Sequence, residues 1–209
     1  TNGVTYYIVV RASDTAGNIS SNSSQVSGAP RVPSNYEERV IDGNFLDWKF
    51  SDVKALDPHD DAYAFSDGYD DSRNILALYA REGENNYYFR VDFKELGIFA
   101  EHANLDLYLM LSWAGQSAGG QGWLPDFSEC QTNTPWKVGI TVYSANSYSV
   151  VNSTWGAENW SFFGANFNSA LDATEFAIKK QVLINAGWTP GTPLQMQCFA
   201  MKDGTNSGL

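Results

Sequence analysis

Apolar and polar residues alternate with a period of two through much of this chain, in short runs separated by polar turns. Tyr6, Ile8, Val10 and Ala12 alternate with Tyr7, Val9 and Arg11, the period of a half-buried strand. Asp14 to Asn18 (DTAGN) has turn chemistry, with Gly17-Asn18 able to take positive φ, and a second strand is expected around Ser23 to Val26. Residues 29–38 (APRVPSNYEE) hold two prolines and little apolar periodicity, and read as a linker. From Arg39 onward the pattern predicts strands at Ile75 to Arg81, Tyr87 to Phe93, Leu105 to Trp113, Trp136 to Tyr143, Tyr148 to Asn152, Ala173 to Lys179 and Leu194 to Met201. Gly83 to Asn86 is a hairpin turn. Lys94 to Ala103 is the best helical turn, and Gln181 to Ala186 is a second candidate.

Many short strands with polar turns and one or two short helices predict an all-β fold, an antiparallel β-sandwich of jelly-roll or immunoglobulin-like type. Two stretches break the rhythm. Residues 57–71 form an acidic loop, and residues 114–135 a long Gly-rich polar loop. Structureless loops of that length in a compact domain are often functional.

Charge narrows the partners. The net charge is −11, from 24 acidic and 13 basic residues, with no Lys/Arg cluster of the kind that contacts phosphate. Nucleic acid is therefore disfavoured. No run of about 18 apolar residues is present, so no membrane insertion by a helix is expected. Cys130 and Cys198 fit either one disulfide of an oxidising compartment or two separate buried thiols.

The acidic loop, DPHDDAYAFSDGYDD, carries six Asp in fifteen residues and no Lys or Arg. A calcium ion, with its six to eight oxygen ligands, would offset that repulsion. The spacing is not that of an EF-hand. Asp60, Asp61, Asp70 and Asp71 are the expected ligands of a structural calcium; the alternative is an acidic loop splayed into water. Aromatic content is 14%, with 7 Trp. Indoles in polar loops can stack on the C–H face of a sugar while neighbouring amides and carboxylates bond its hydroxyls. Trp123, Trp155 and Trp160 are the candidate rings, with Gln121, Asp126, Glu158 and Asn159 as polar partners. Trp123 and Trp155 are expected to be exposed, and Trp48 and Trp136 to lie in the core. His59 and His102 belong to no catalytic arrangement. Carboxylates are abundant, but abundance is not the converging pair that glycosidase chemistry needs, so no catalytic residue is assigned. Asn18, Asn22, Asn152 and Asn159 stand in N-x-[ST] sequons.

TYYIVVRASDTAGNISSNSSQVS resembles the last two strands of a fibronectin type III domain as found in secreted bacterial enzymes. The resemblance implies that residues 1–28 are the end of such a domain, with Tyr6 as its tyrosine-corner residue. Residues 39–209 resemble family 9 carbohydrate-binding modules and their DOMON-like relatives, including C-terminal domains of glucodextranases. VIDGNFLDW is similar to the "IDG…DW" opening, covering Ile41, Asp42, Gly43, Asp47 and Trp48. There the family has a first strand, a turn and a Trp tucked under the sandwich. DPHDD, NNYYFRVDFKEL, NLDLYLMLS and ATEFAIKKQVL resemble its acidic loop, two central strands and a late strand. The resemblance implies a non-catalytic module that binds polysaccharide or oligosaccharide. Its parent would be a secreted, multimodular glycoside hydrolase whose other domains are its neighbours. A structural or adhesive extracellular spacer or filament subunit is the alternative, and an enzyme in its own right the third.

Overall fold

The computed structural model describes residues 6–28, 36–57, 74–96, 105–115, 120–125 and 127–201. The chain divides into two compact units, Thr1–Glu37 and Glu38–Leu209.

In the first unit, β1 (Tyr6–Ile8) pairs antiparallel with β2 (Val26–Gly28). Both are shorter than the alternation predicts, because serine side chains intercept the ladder. Val10 N–H donates to Ser23 Oγ and Ala12 N–H to Ser20 Oγ, each at 2.9 Å. Such side-chain acceptors compete with a backbone partner. The turn forms as expected. Asp14 accepts from the Ala16 and Asn18 N–H groups and from Asn18 Nδ2. These bonds, the Asn18 side chain foremost, hold its carboxyl below the usual range. Gly17 takes φ +87°.

The second unit is an all-β antiparallel sandwich. Its strands are β3 (Val53–Leu56), β4 (Ile75–Glu82), β5 (Asn86–Phe93), β6 (Asp106–Trp113), β7 (Gln121–Leu124), β8 (Phe127–Trp136), β9 (Val138–Ser144), β10 (Ser147–Asn152), β11 (Phe162–Asn168), β12 (Ala173–Lys179) and β13 (Leu194–Met201), with α1 (Lys180–Asn185) after β12. One sheet has the order β11-β12-β5-β4-β3 and the other β10-β9-β6-β13. Phe89, Val91, Phe176 and Ile178 of the first meet Leu107, Leu109, Leu111, Ile140 and Val142 of the second in one core.

Each sheet is also covered on its outer face. On the first lie one-turn 3₁₀ helices at Phe45–Asp47 and Phe50–Asp52, and residues 40–48, where the resemblance implied a first strand and a turn, form no strand. Phe45 and Trp48 pack there against Tyr88, Ala173 and Ala177. On the second, the β7–β8 hairpin sets Leu124 and Trp136 over Tyr108 and Met110. All eight residues of β6 are therefore buried, and its near-continuous apolar run is that of a strand covered on both sides.

The hairpin overturns the expectation of a structureless loop over 114–135. Of its strands' described side chains only Leu124 and Trp136 are buried, so the strands show no core-facing period. β3 and β11 escaped the pattern because they are sheet edges, one of four residues and one interrupted by Gly and Asn. Lys94 to Leu96 are not helical; residues 97–103 of that predicted turn lie outside the described residues.

Candidate functional site

The tryptophans separate into two populations. Trp48, Trp113, Trp136 and Trp188 are at most 8% exposed, whereas Trp123, Trp155 and Trp160 are 41%, 48% and 46% exposed. Exposing an indole forgoes its burial energy, roughly 1.5–3 kcal/mol for a large apolar side chain. Three such rings, each with a fixed backbone, therefore mark a candidate contact surface.

Two of them, and a third aromatic, come from the segment that crosses from β10 in one sheet to β11 in the other. Asn152 organises its start. Asn152 Oδ1 accepts from the N–H groups of Thr154 and Gly156 and from Thr154 Oγ1, and Asn152 O accepts from Trp155 N–H. That turn holds Trp155 at φ +65°, a left-handed conformation that costs a non-Gly residue roughly 1–2 kcal/mol. Its ring meets Trp136 edge-on, centroids 5.6 Å apart. Trp160 Nε1 donates to Glu158 Oε2 at 2.6 Å, and Lys179 Nζ lies 5.9 Å from the Trp160 ring centre. At Phe163 the β11–β12 register slips: Phe162 faces Ile178 and Gly164 faces Ala177. Phe163 is thus the extra residue of a bulge, a device that re-aims a side chain, and it is 56% exposed. Gly164, at φ +147°, supplies the backbone that the bulge needs.

Trp123 belongs to the β7–β8 hairpin, and its carbonyl accepts from Trp136 Nε1 at 3.0 Å. Buried Trp136 therefore touches both Trp123 and Trp155, while Trp160 turns toward Lys179.

The predicted polar partners hold loops in place. Gln121 Oε1 accepts from the N–H groups of Gly122 and Trp123. Asn159 Oδ1 accepts from Val150 N–H. Glu158 takes Asn152 Nδ2 on one oxygen and the Trp160 indole on the other. Asp126 lies outside the described residues, as do Asp60, Asp61, Asp70, Asp71, His59 and His102. Among the described residues no group of three or more His, Cys, Asp or Glu could hold a metal. Cys198 carries a free thiol, which packs on the main core. Burial pushes it up to about 12, so it is protonated and inert at neutral pH.

Two buried carboxylates carry structure. Glu175 is fully buried on the outer face of β12. It accepts from Asp42 N–H and Gly43 N–H, both at 2.7 Å, and from Trp48 Nε1 at 3.0 Å. Burial raises its pKa; the Trp48, Gly43 and Asp42 bonds oppose that rise. Asp52 lies 2.7 Å from Arg81 and 3.5 Å from Arg39. Burial disfavours its charge, but the Lys49 N–H and Arg81 outweigh burial and hold its pKa below the usual value.

A groove of about 500 Å³ opens where the β4–β5 turn, the start of α1 and the bulge meet. A smaller recess of about 240 Å³ lies beside Trp113, Lys137 and Thr192. Neither is an apolar pocket with converging acids. Compared with known protein families and with curated proteins, the chain matches none.

Proposed function

We propose that this chain is a non-catalytic carbohydrate-binding module of a secreted, multimodular protein. The observation that carries the reading is the set of half-exposed indoles, each held by the fold: Trp155 by the Asn152 turn, Trp160 by Glu158 and Trp123 by the hairpin. Rigid rings on a wet surface suit the flat C–H face of a pyranose and need little ordering on binding. Acid chemistry finds less support. The buried carboxylates Glu175 and Asp52 bond N–H and guanidinium groups, the pairing of structural acids rather than of a converging catalytic pair.

Affinity electrophoresis through gels of soluble α- and β-glucans, with a glycan array beside it, tests the reading. Wild-type protein is retarded by at least one glycan, and Trp155→Ala and Trp123→Ala each weaken retention on the order of tenfold. No retention on any glycan sinks it. Calcium bound by the 57–71 loop belongs to the same proposal. Added calcium is expected to raise the melting temperature and chelator to lower it, since an ion held only by the native state stabilises that state.

One observation favours the structural or adhesive alternative. In the first unit Tyr7, Ile8, Val9, Val10, Ile19 and Val26 are all exposed, and an isolated two-stranded ribbon is marginal in water. Concentration-dependent assembly in light scattering, without glycan binding, would favour that alternative.

A further inference from the structure

We infer that the groove beside the β11 bulge is a binding site for one stretch of a neutral oligosaccharide, with Phe163 as its stacking ring and Asn85 and Gln181 as its hydroxyl ligands. This rests on the carbohydrate-binding reading and assigns it a second, distinct contact.

The groove's apolar wall is Phe163, Ile184 and Pro190, all exposed. Phe163 faces outward because the register slip sets it outside the ladder. In a regular strand Phe162 and Gly164 share one face and Phe163 takes the other; the slip leaves Phe163 with no residue opposite it on β12. Phe162 turns inward and stacks on Tyr148 at 3.9 Å, so the two adjacent phenylalanines serve opposite sides of one strand.

The polar wall is made by Asn85 and Gln181. Asn85 gives its backbone carbonyl to Lys180 N–H, and Gln181 gives Nε2 to Asn185 Oδ1. Among the described residues the Asn85 amide and Gln181 Oε1 have no protein partner. In this they differ from Gln121, Glu158 and Asn159, whose oxygens fix loops. An amide donates and accepts, as a sugar hydroxyl does.

Charge selects a neutral ligand. Lys180 Nζ is 2.6 Å from Glu82 and 3.1 Å from the Gly83 carbonyl. Lys179 reaches toward Trp160, and Glu84 is exposed on the same rim. Two lysines thus face two glutamates, giving no net field to attract a uronic acid or a sulfate. The volume lies in the range that takes a small ligand rather than a protein segment, and Trp160 beside Lys179 extends the path of a chain leaving the groove.

Isothermal titration of the full 209-residue chain tests this, with maltohexaose, cellohexaose and a hexagalacturonate as probes. One neutral hexaose binds, and the charged one binds more weakly. Phe163→Ala and Gln181→Ala each weaken the neutral ligand on the order of tenfold, with unchanged melting temperatures because both side chains are exposed. If both variants bind as wild type does while Trp155→Ala loses binding, the groove assignment is overturned and the carbohydrate reading stands. If the wild type binds no hexaose and no polysaccharide, both fall. Tighter binding of hexagalacturonate overturns the choice of a neutral ligand.

Discussion

Glu175 and Gly43 are one device seen from two sides. Gly43 takes φ +76°, which lets its N–H and that of Asp42 converge on one carboxylate oxygen. A Cβ there would stand 2.6 Å from Asn166 Oδ1, so Gly43→Ala meets both strain and a clash. It is expected to cost about 1–3 kcal/mol in urea denaturation. Glu175→Gln presents an amide NH₂ to donors that need acceptors, and is expected to cost about 2 kcal/mol. The pH dependence has a definite sign. A carboxyl whose folded pKa is raised favours the protonated native state. Its contribution is therefore greatest below the unfolded value of 4.5 and declines as pH rises through the folded value. Asp52 runs the other way: its contribution is present above 3.8 and disappears as pH falls through its lowered folded value. Stability measured against pH should lose the first slope in Glu175→Gln and the second in Asp52→Asn.

At the scale of elements, the β10–β11 crossing separates presentation from packing. Trp155→Gly removes the cost of φ +65° and also the edge contact with Trp136. Each is worth about 1 kcal/mol. The melting temperature is therefore expected to move little while glycan retention falls. The sequence made much of this scale legible. Ala173–Lys179 and Leu194–Met201 appear with the limits their alternation implies. Trp136 reads as core from the strand it opens and Trp48 from the "IDG…DW" resemblance, whereas Trp123 and Trp155 read as exposed from their polar, Gly-rich surroundings. What stayed hidden had no period to read. The β7–β8 hairpin reads as polar because it packs through Leu124 of β7 and Trp136 of β8. Phe163 looked like half of an apolar pair because a bulge leaves no trace in hydropathy. Asn85 sat inside a recognised turn, and Gln181 inside a recognised helix. Nothing in either pattern says which amide lacks a partner, since that depends on contacts between residues about a hundred positions apart.

For the whole of the second unit, both sheets share one core, so a cavity in it is felt by both. Phe89→Ala is expected to cost about 3–5 kcal/mol. Near- and far-ultraviolet circular dichroism should then shift together along the urea axis, as a single transition requires. Trp48 and Trp136 report on opposite outer faces, and quenching of either in the variant should follow the same curve.

The stretch from Asn152 to Gly164 carries most of its own scaffolding: the Asn152 turn, the Glu158 tie and the bulge glycine are all local. Such a segment behaves as a removable cassette. If the surface holds a glycan as proposed, lengthening the segment or exchanging its rings would redraw what it recognises while the two sheets beneath keep their register, and ligand could then diverge without fold.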